Sequence, residues 1–179
     1  MTNNKTTIAK ITSSSYWRSV SSVILRFGLG AGFLSAVADR LGLWGAFGEP
    51  NVEWGNFSRF LEYTQVLNWY VPAGMIPLLG VIATGVETLF GVLLIAGWHT
   101  RATAMLSALL LLTFGVAMTL SLGIKAPLNF AVFTGVGGAL LLASCRSFPF
   151  SVDQLLLRRK HLAEPGRRQH DPETVQLNG

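Results

Sequence analysis

Two charged side chains stand inside apolar runs. Glu87 is the one carboxylate in residues 76–97, IPLLGVIATGVETLFGVLLIAG, and Arg26 stands in residues 18–38, RSVSSVILRFGLGAGFLSAVA. A helix needs roughly 20 residues to cross a hydrocarbon core. A charged side chain at the centre of such a helix costs about 2.5–3.5 kcal/mol on insertion scales. Glu87 must therefore face other helices and either hold a proton or meet a cation. Arg26 is the expected partner. It lies about seven residues, roughly 10 Å, into its span, and Glu87 lies about ten residues, roughly 15 Å, from the same side. Thr84 shares a helical face with Gly80, Glu87, Gly91 and Leu94, so the expected polar site is Arg26, Glu87 and Thr84. In the competing arrangement Arg26 snorkels to the membrane surface and Glu87 is protonated. An intramembrane ionisable residue marks a functional site by default.

The elements that must position these groups are membrane helices. Half of the 179 residues are hydrophobic and 13% are charged, with long stretches free of charge. Apolar runs of the right length place four spans, at about 18–38, 76–97, 102–123 and 128–145. They make a four-transmembrane-helix bundle, all α, over residues 18–150, with a cytoplasmic tail at 1–17 and a basic, partly disordered cytoplasmic tail at 151–179. Gly28 and Gly32 on the first span and Gly91 on the second form small-residue faces for helix packing. On the third span Thr103, Ser107, Phe114, Ala117 and Ser121 fall on one stripe. A rival reading of the first span is a cleavable signal peptide ending at Ala36-Val37-Ala38.

The outer loop, residues 39–75, is dense in aromatics. Its stretch from Asn56 to Asn68 is helical in pattern, with Phe57, Phe60, Leu61 and Leu67 on one face. An extra interfacial helix is expected there, serving as a lid or as a gate. Asp39 and Arg40 close the outer end of the first span, with Asp39 expected to act as a structural cap on Arg40's neighbours, Lys125 or the loop. Ser151 is placed to cap a short helix over 151–162.

Counting bases gives an orientation. The amino tail, the second loop and the carboxyl tail hold ten, whereas Arg40, Arg59 and Lys125 stand on the other side. Both termini are then cytoplasmic in a multi-pass protein of a bacterial inner membrane. The net charge of +5 thus serves topology, and no basic face with interleaved aromatics points to nucleic acid. The single Cys145 forms no disulfide or thiolate cluster, and His99, His161 and His170 lie outside the spans, which excludes bis-His haem ligation. No hydrolase triad, phosphate loop or metal-ligand spacing is present, so the expected protein is a non-catalytic subunit with no intrinsic cofactor.

The first span as LRFGLGAGFLSAVADRLGLWG and the second as VETLFGVLLIAGWHTR resemble the DoxX family of small four-helix bacterial membrane proteins. Arg26 followed by Gly28 and Gly32, and Glu87 followed by Gly91, Gly97 and Arg101, carry the resemblance, which covers about residues 20–150. It implies an accessory subunit of a quinone-linked membrane oxidoreductase, with bound quinone and a redox partner subunit. The residues themselves leave two alternatives: a proton-coupled transporter, which in so narrow a bundle calls for a homodimer, and a structural scaffold in the bilayer.

Overall fold

The computed structural model describes residues 3–145 and 147–163, with side chains from residue 16 to residue 159 apart from Arg146. Every regular element among them is helical. In chain order these are α1 (Asn3–Arg40), α2 (Phe57–Leu67), a 3-10 turn (Ala73–Met75), α3 (Ile76–Ala96), α4 (Thr100–Leu122), α5 (Lys125–Asn129), α6 (Val132–Ser144) and α7 (Val152–Ala163).

Three helical stretches are long and apolar enough to cross a membrane: Tyr16–Arg40, Ala73–Ala96 and Thr100–Leu122. Their outer faces are apolar and exposed, as at Ile24, Phe27, Leu78, Val81, Leu89, Leu109 and Leu120, the surface a bilayer covers. Exposed Trp98 marks one end of α3, and exposed Trp69 and Tyr70 lie just ahead of its other end. The roughly 33 Å between these ends, at 1.5 Å per residue, matches a hydrocarbon core of about 30 Å. The protein is a multi-pass membrane protein.

Two expected elements take a different form. The fourth span is broken at Ala131, which has a left-handed φ of 52°. Past this break the chain forms α6, 13 residues and about 20 Å long, short of a full crossing. The amino-terminal tail is helical from Asn3, because no glycine or proline interrupts the chain ahead of Gly28 and α1 runs on through it. The disorder expected of the last fifteen residues lies outside the described residues.

Helices pack chiefly as two antiparallel pairs, α1 with α3 and α4 with α6. In the first pair the close approach is at Gly30. A Cβ there would stand 2.9 Å from the Gly91 carbonyl oxygen and 2.8 Å from Ile95 Cγ1. Gly28 and Gly32, expected to pack, are exposed, with no described atom within 4 Å of an added Cβ. Two residues along a helix is a turn of about 200°, so they point away from α3 when Gly30 faces it. The core joins Phe33, Leu94, Ala104, Leu142 and Ala143.

At the turn end of the bundle, Gly97 closes α3 with φ 70°, a conformation glycine adopts without strain. Asp153 then caps α4: its two carboxylate oxygens accept from the amides of His99 and Thr100, each at 2.8 Å. Ser151 caps α7 by accepting from the Gln154 amide at 3.1 Å. The fully buried Arg26 donates to the carbonyls of Pro149 at 3.1 Å and Phe150 at 2.6 Å, tying the α6–α7 linker to α1.

Gly30→Ala is expected to destabilise the protein by about 1–3 kcal/mol, the usual cost of overpacking, whereas Gly28→Ala leaves stability unchanged or raised. Thermal unfolding in detergent checks this; equal midpoints for the two variants would remove the close-packing role of Gly30.

Candidate functional site

Glu87 is 2% exposed in mid-span, and its partner is Arg40, 4% exposed. Arg40 Nη2 donates to Glu87 Oε1 at 3.0 Å, and Nη1 makes an ion-pair contact with Oε2. Nη1 also donates to Thr84 Oγ1 at 3.2 Å. The guanidinium lies over the Phe60 ring, 3.9 Å from its centroid, with the Trp54 ring 5.2 Å away. Aromatic faces attract cations and exclude water, so they supply part of what hydration would.

Arg26 does not reach Glu87. It is level with Gly97, its Nη1 standing 2.8 Å from where a Cβ on that residue would lie, and Gly97 is ten residues, about 15 Å, from Glu87 along α3. Arg26 and Arg40 are fourteen residues apart, close to four full turns, so they share one face of α1. Helical face cannot tell them apart; height does. Gly30 meets Gly91 and Ile95, which sets the offset between α1 and α3 and puts the end of α1 beside Thr84 and Glu87. The first turns of α3, from Ile76 down, extend about 16 Å beyond Glu87. The outer loop fills the space beside them.

Asp39 folds that loop inward. Its Oδ2 accepts from the amides of Glu53 at 3.0 Å and Trp54 at 3.1 Å, and its Oδ1 from Gly55 at 3.4 Å. Trp54 is thereby carried over Arg40. Helix α2 forms where the sequence pattern puts it, with the Asn56 side chain accepting from the Arg59 amide at 3.0 Å. Its buried face, Phe60, Thr64 and Leu67, turns into the bundle. Phe57, Phe60 and Leu61 pack at Gly80 on α3, and Ser121 of α4 donates to the Leu67 carbonyl at 2.7 Å.

Beside the ion pair lies a cavity of about 390 Å³ between the two helix pairs. Its walls are mostly apolar, with Phe33, Leu79, Leu111, Phe114 and Met118 among them, and Arg40 and Glu87 line it together with Thr64 and Tyr63. Burial, and then the charge of Glu53, push the Tyr63 phenol up. The volume is that of a small-ligand pocket. Gly28 and Gly32, both exposed, line the same cavity.

The sequence pattern thus places Glu87 and Thr84 in one site and puts Arg26 where Arg40 stands. Arg40 carried one signal, its place beside Asp39 at the end of the first span. The depth at which α1 ends depends on the loop folding back, which no local pattern shows.

A family model described as "Methylamine utilisation protein MauE" matches residues 18–129, more than half of the chain. The chain belongs to the MauE family. The matched stretch holds Arg40, Thr84 and Glu87, and stops short of α6 and of the α7 linker that Arg26 holds. This corrects the resemblance to DoxX: an arginine, a mid-span glutamate and small residues in apolar helices are features this MauE-family chain shares with it, and they do not separate the two. The quinone and redox partner rested on that resemblance and have no separate support. No curated protein and no solved structure matches the chain.

Removing one member of the pair strands a buried charge, so Arg40→Ala is expected to cost about 3–5 kcal/mol. Arg40→Met with Glu87→Met should return most of that stability. A double-mutant cycle by thermal unfolding checks it; additive losses in the double variant would show that the two residues do not depend on each other.

Proposed function

We propose that this chain is an accessory membrane protein of a methylamine utilisation system and that its working part is the Arg40–Glu87 pair beside the cavity. The family match carries the first half of this reading. The second half is supported by the placement of a costly buried pair on the wall of a ligand-sized cavity, where a purely structural pair has no need of one. The protein's partners on this reading are lipid and the other components of the system.

A host strain lacking this chain is expected to lose growth on methylamine while growing normally on other substrates, and Glu87→Gln is expected not to restore it. Normal growth on methylamine without the chain would overturn the assignment. Restoration by the Arg40→Met, Glu87→Met pair would reduce the ion pair to a scaffold. A second reading, a proton-coupled permease, is favoured by the carboxylate in mid-span; it requires that Glu87→Gln abolish uptake of labelled methylamine into vesicles.

The chain sits in the inner membrane with the α3–α4 turn and α7 on the cytoplasmic side. Arg18, Arg101, Arg158 and Arg159 belong to that end. At the other end Arg40 is consumed by Glu87, leaving Arg59 and Lys125. The sharpened bias follows the positive-inside rule. A fluorescent protein fused after Gly179 should fold and fluoresce, and an alkaline phosphatase fused there should be inactive; the reverse pattern would invert the orientation.

A further inference from the structure

Phe150 holds a conformation that aromatic residues rarely take. Its φ is 51°, in the left-handed region, and the residue is 85% exposed. Both of its backbone polar groups are held. Arg26 Nη2 donates to the Phe150 carbonyl at 2.6 Å, and the Phe150 amide donates to Gln154 Oε1 at 3.1 Å. Such a conformation persists only where the surrounding structure imposes it. A fully buried guanidinium thus helps to fix a turn that holds a phenyl ring off the protein.

This turn lies at the edge of the bilayer. The Asp153 amide donates to the Gly97 carbonyl at 3.0 Å, and the Asp153 carboxylate caps α4 at His99 and Thr100. Helix α7 therefore starts at the level of the exposed Trp98, just past the end of α3. It meets the bundle by its first turn: Val152, Asp153 and Gln154 are half-buried, and every residue from Leu155 to Arg159 is exposed. Leu155, Leu156 and Leu157 follow one another at about 100°, so exposed leucine takes in more than half of the helix circumference. An apolar patch of this kind marks a contact with a membrane or a protein. Arg158 and Arg159 adjoin it, and Arg101 is exposed near the start of α4. Arg159 follows Leu155 by four residues and shares its face, so its stem lies along leucine while its head reaches outward. Among the described residues Asp153 is the one acid at this end, and both its oxygens are taken by the α4 amides.

We propose that residues 150–159 are a surface anchor for anionic lipid. The Phe150 ring and the leucines enter the boundary between head groups and acyl chains, and Arg158 and Arg159, with Arg101, meet the lipid phosphates. An acidic bilayer surface fits both parts of the segment. The apolar side chains need a hydrocarbon boundary at this level, and the free charges beside them are all positive. The anchor depends neither on the methylamine system nor on the cavity.

The test uses the full chain in nanodiscs of phosphatidylcholine, with or without phosphatidylglycerol. Cys145→Ser with Leu156→Cys leaves one attachment point for an environment-sensitive fluorophore, read by quenching from lipids spin-labelled just below the head group. Quenching should be several-fold stronger in the anionic discs and should fall toward the phosphatidylcholine level in high salt. Arg158→Gln with Arg159→Gln should remove the difference between the discs. Phe150→Gly takes away the ring and relieves the left-handed backbone. It should weaken quenching in the anionic discs while leaving the thermal midpoint unchanged or raised. A fluorophore that stays unquenched in both discs would overturn the bilayer as the occupant and leave this face to a protein. Equal quenching in the two discs, or a difference that the glutamine variant does not touch, would overturn the recognition of anionic lipid. Quenching unaltered by Phe150→Gly would overturn the part given to the ring.

Discussion

Putting Arg40 and Glu87 together out of water is the constraint to which the rest of the bundle answers. Each ion loses hydration worth several kcal/mol, and mutual attraction offsets that only when geometry is good and the remaining donors and acceptors are met. Glu87 is fixed in depth by its place in the middle of α3. Arg40 can meet it only if α1 stops beside Thr84, well short of the start of α3. The loop after α1 must then turn inward, and Asp39 makes it do so by taking three loop amides. The turn brings Trp54 and Phe60 against the guanidinium, so the cation is roofed by rings where water would otherwise stand.

The same helix solves a second problem with its other arginine. Arg26 meets carbonyl oxygens of the α6–α7 linker, and next to it Asp153 caps the start of α4. Each end of this stretch of α1 holds a different connecting segment: the Asp39 carboxylate takes the outer-loop amides, and the Arg26 guanidinium takes the carbonyls of the α6–α7 linker. Between these two ties, α1 has little to pack against on the side of Gly28 and Gly32, and the cavity opens there.

The places where sequence reasoning fell short share a cause. A fourth span over 128–145 looks continuous in hydropathy, yet the chain turns at Ala131. The pair Gly28 and Gly32 has the spacing of a packing motif, and Gly30, between them, does the packing. The resemblance to DoxX rested on residue types that many small membrane bundles need for the same physical reasons, and the MauE match replaces it.

By itself the sequence determined the membrane class, the extents of α2, α3 and α4, the cap at Ser151 and the conclusion that Glu87 requires a partner or a proton. These come from hydropathy, helical period and the cost of a bare charge in hydrocarbon, all of which act over a few turns of chain. Only the tertiary structure decided that the partner is Arg40. Both arginines lie on one face of α1, so the choice turned on height, and height was set by the Gly30–Gly91 contact and by an outer loop folded down to the level of Glu87. The first of those contacts joins residues on two separate helices far apart in the chain, the second hangs on a single aspartate, and no local pattern encodes either.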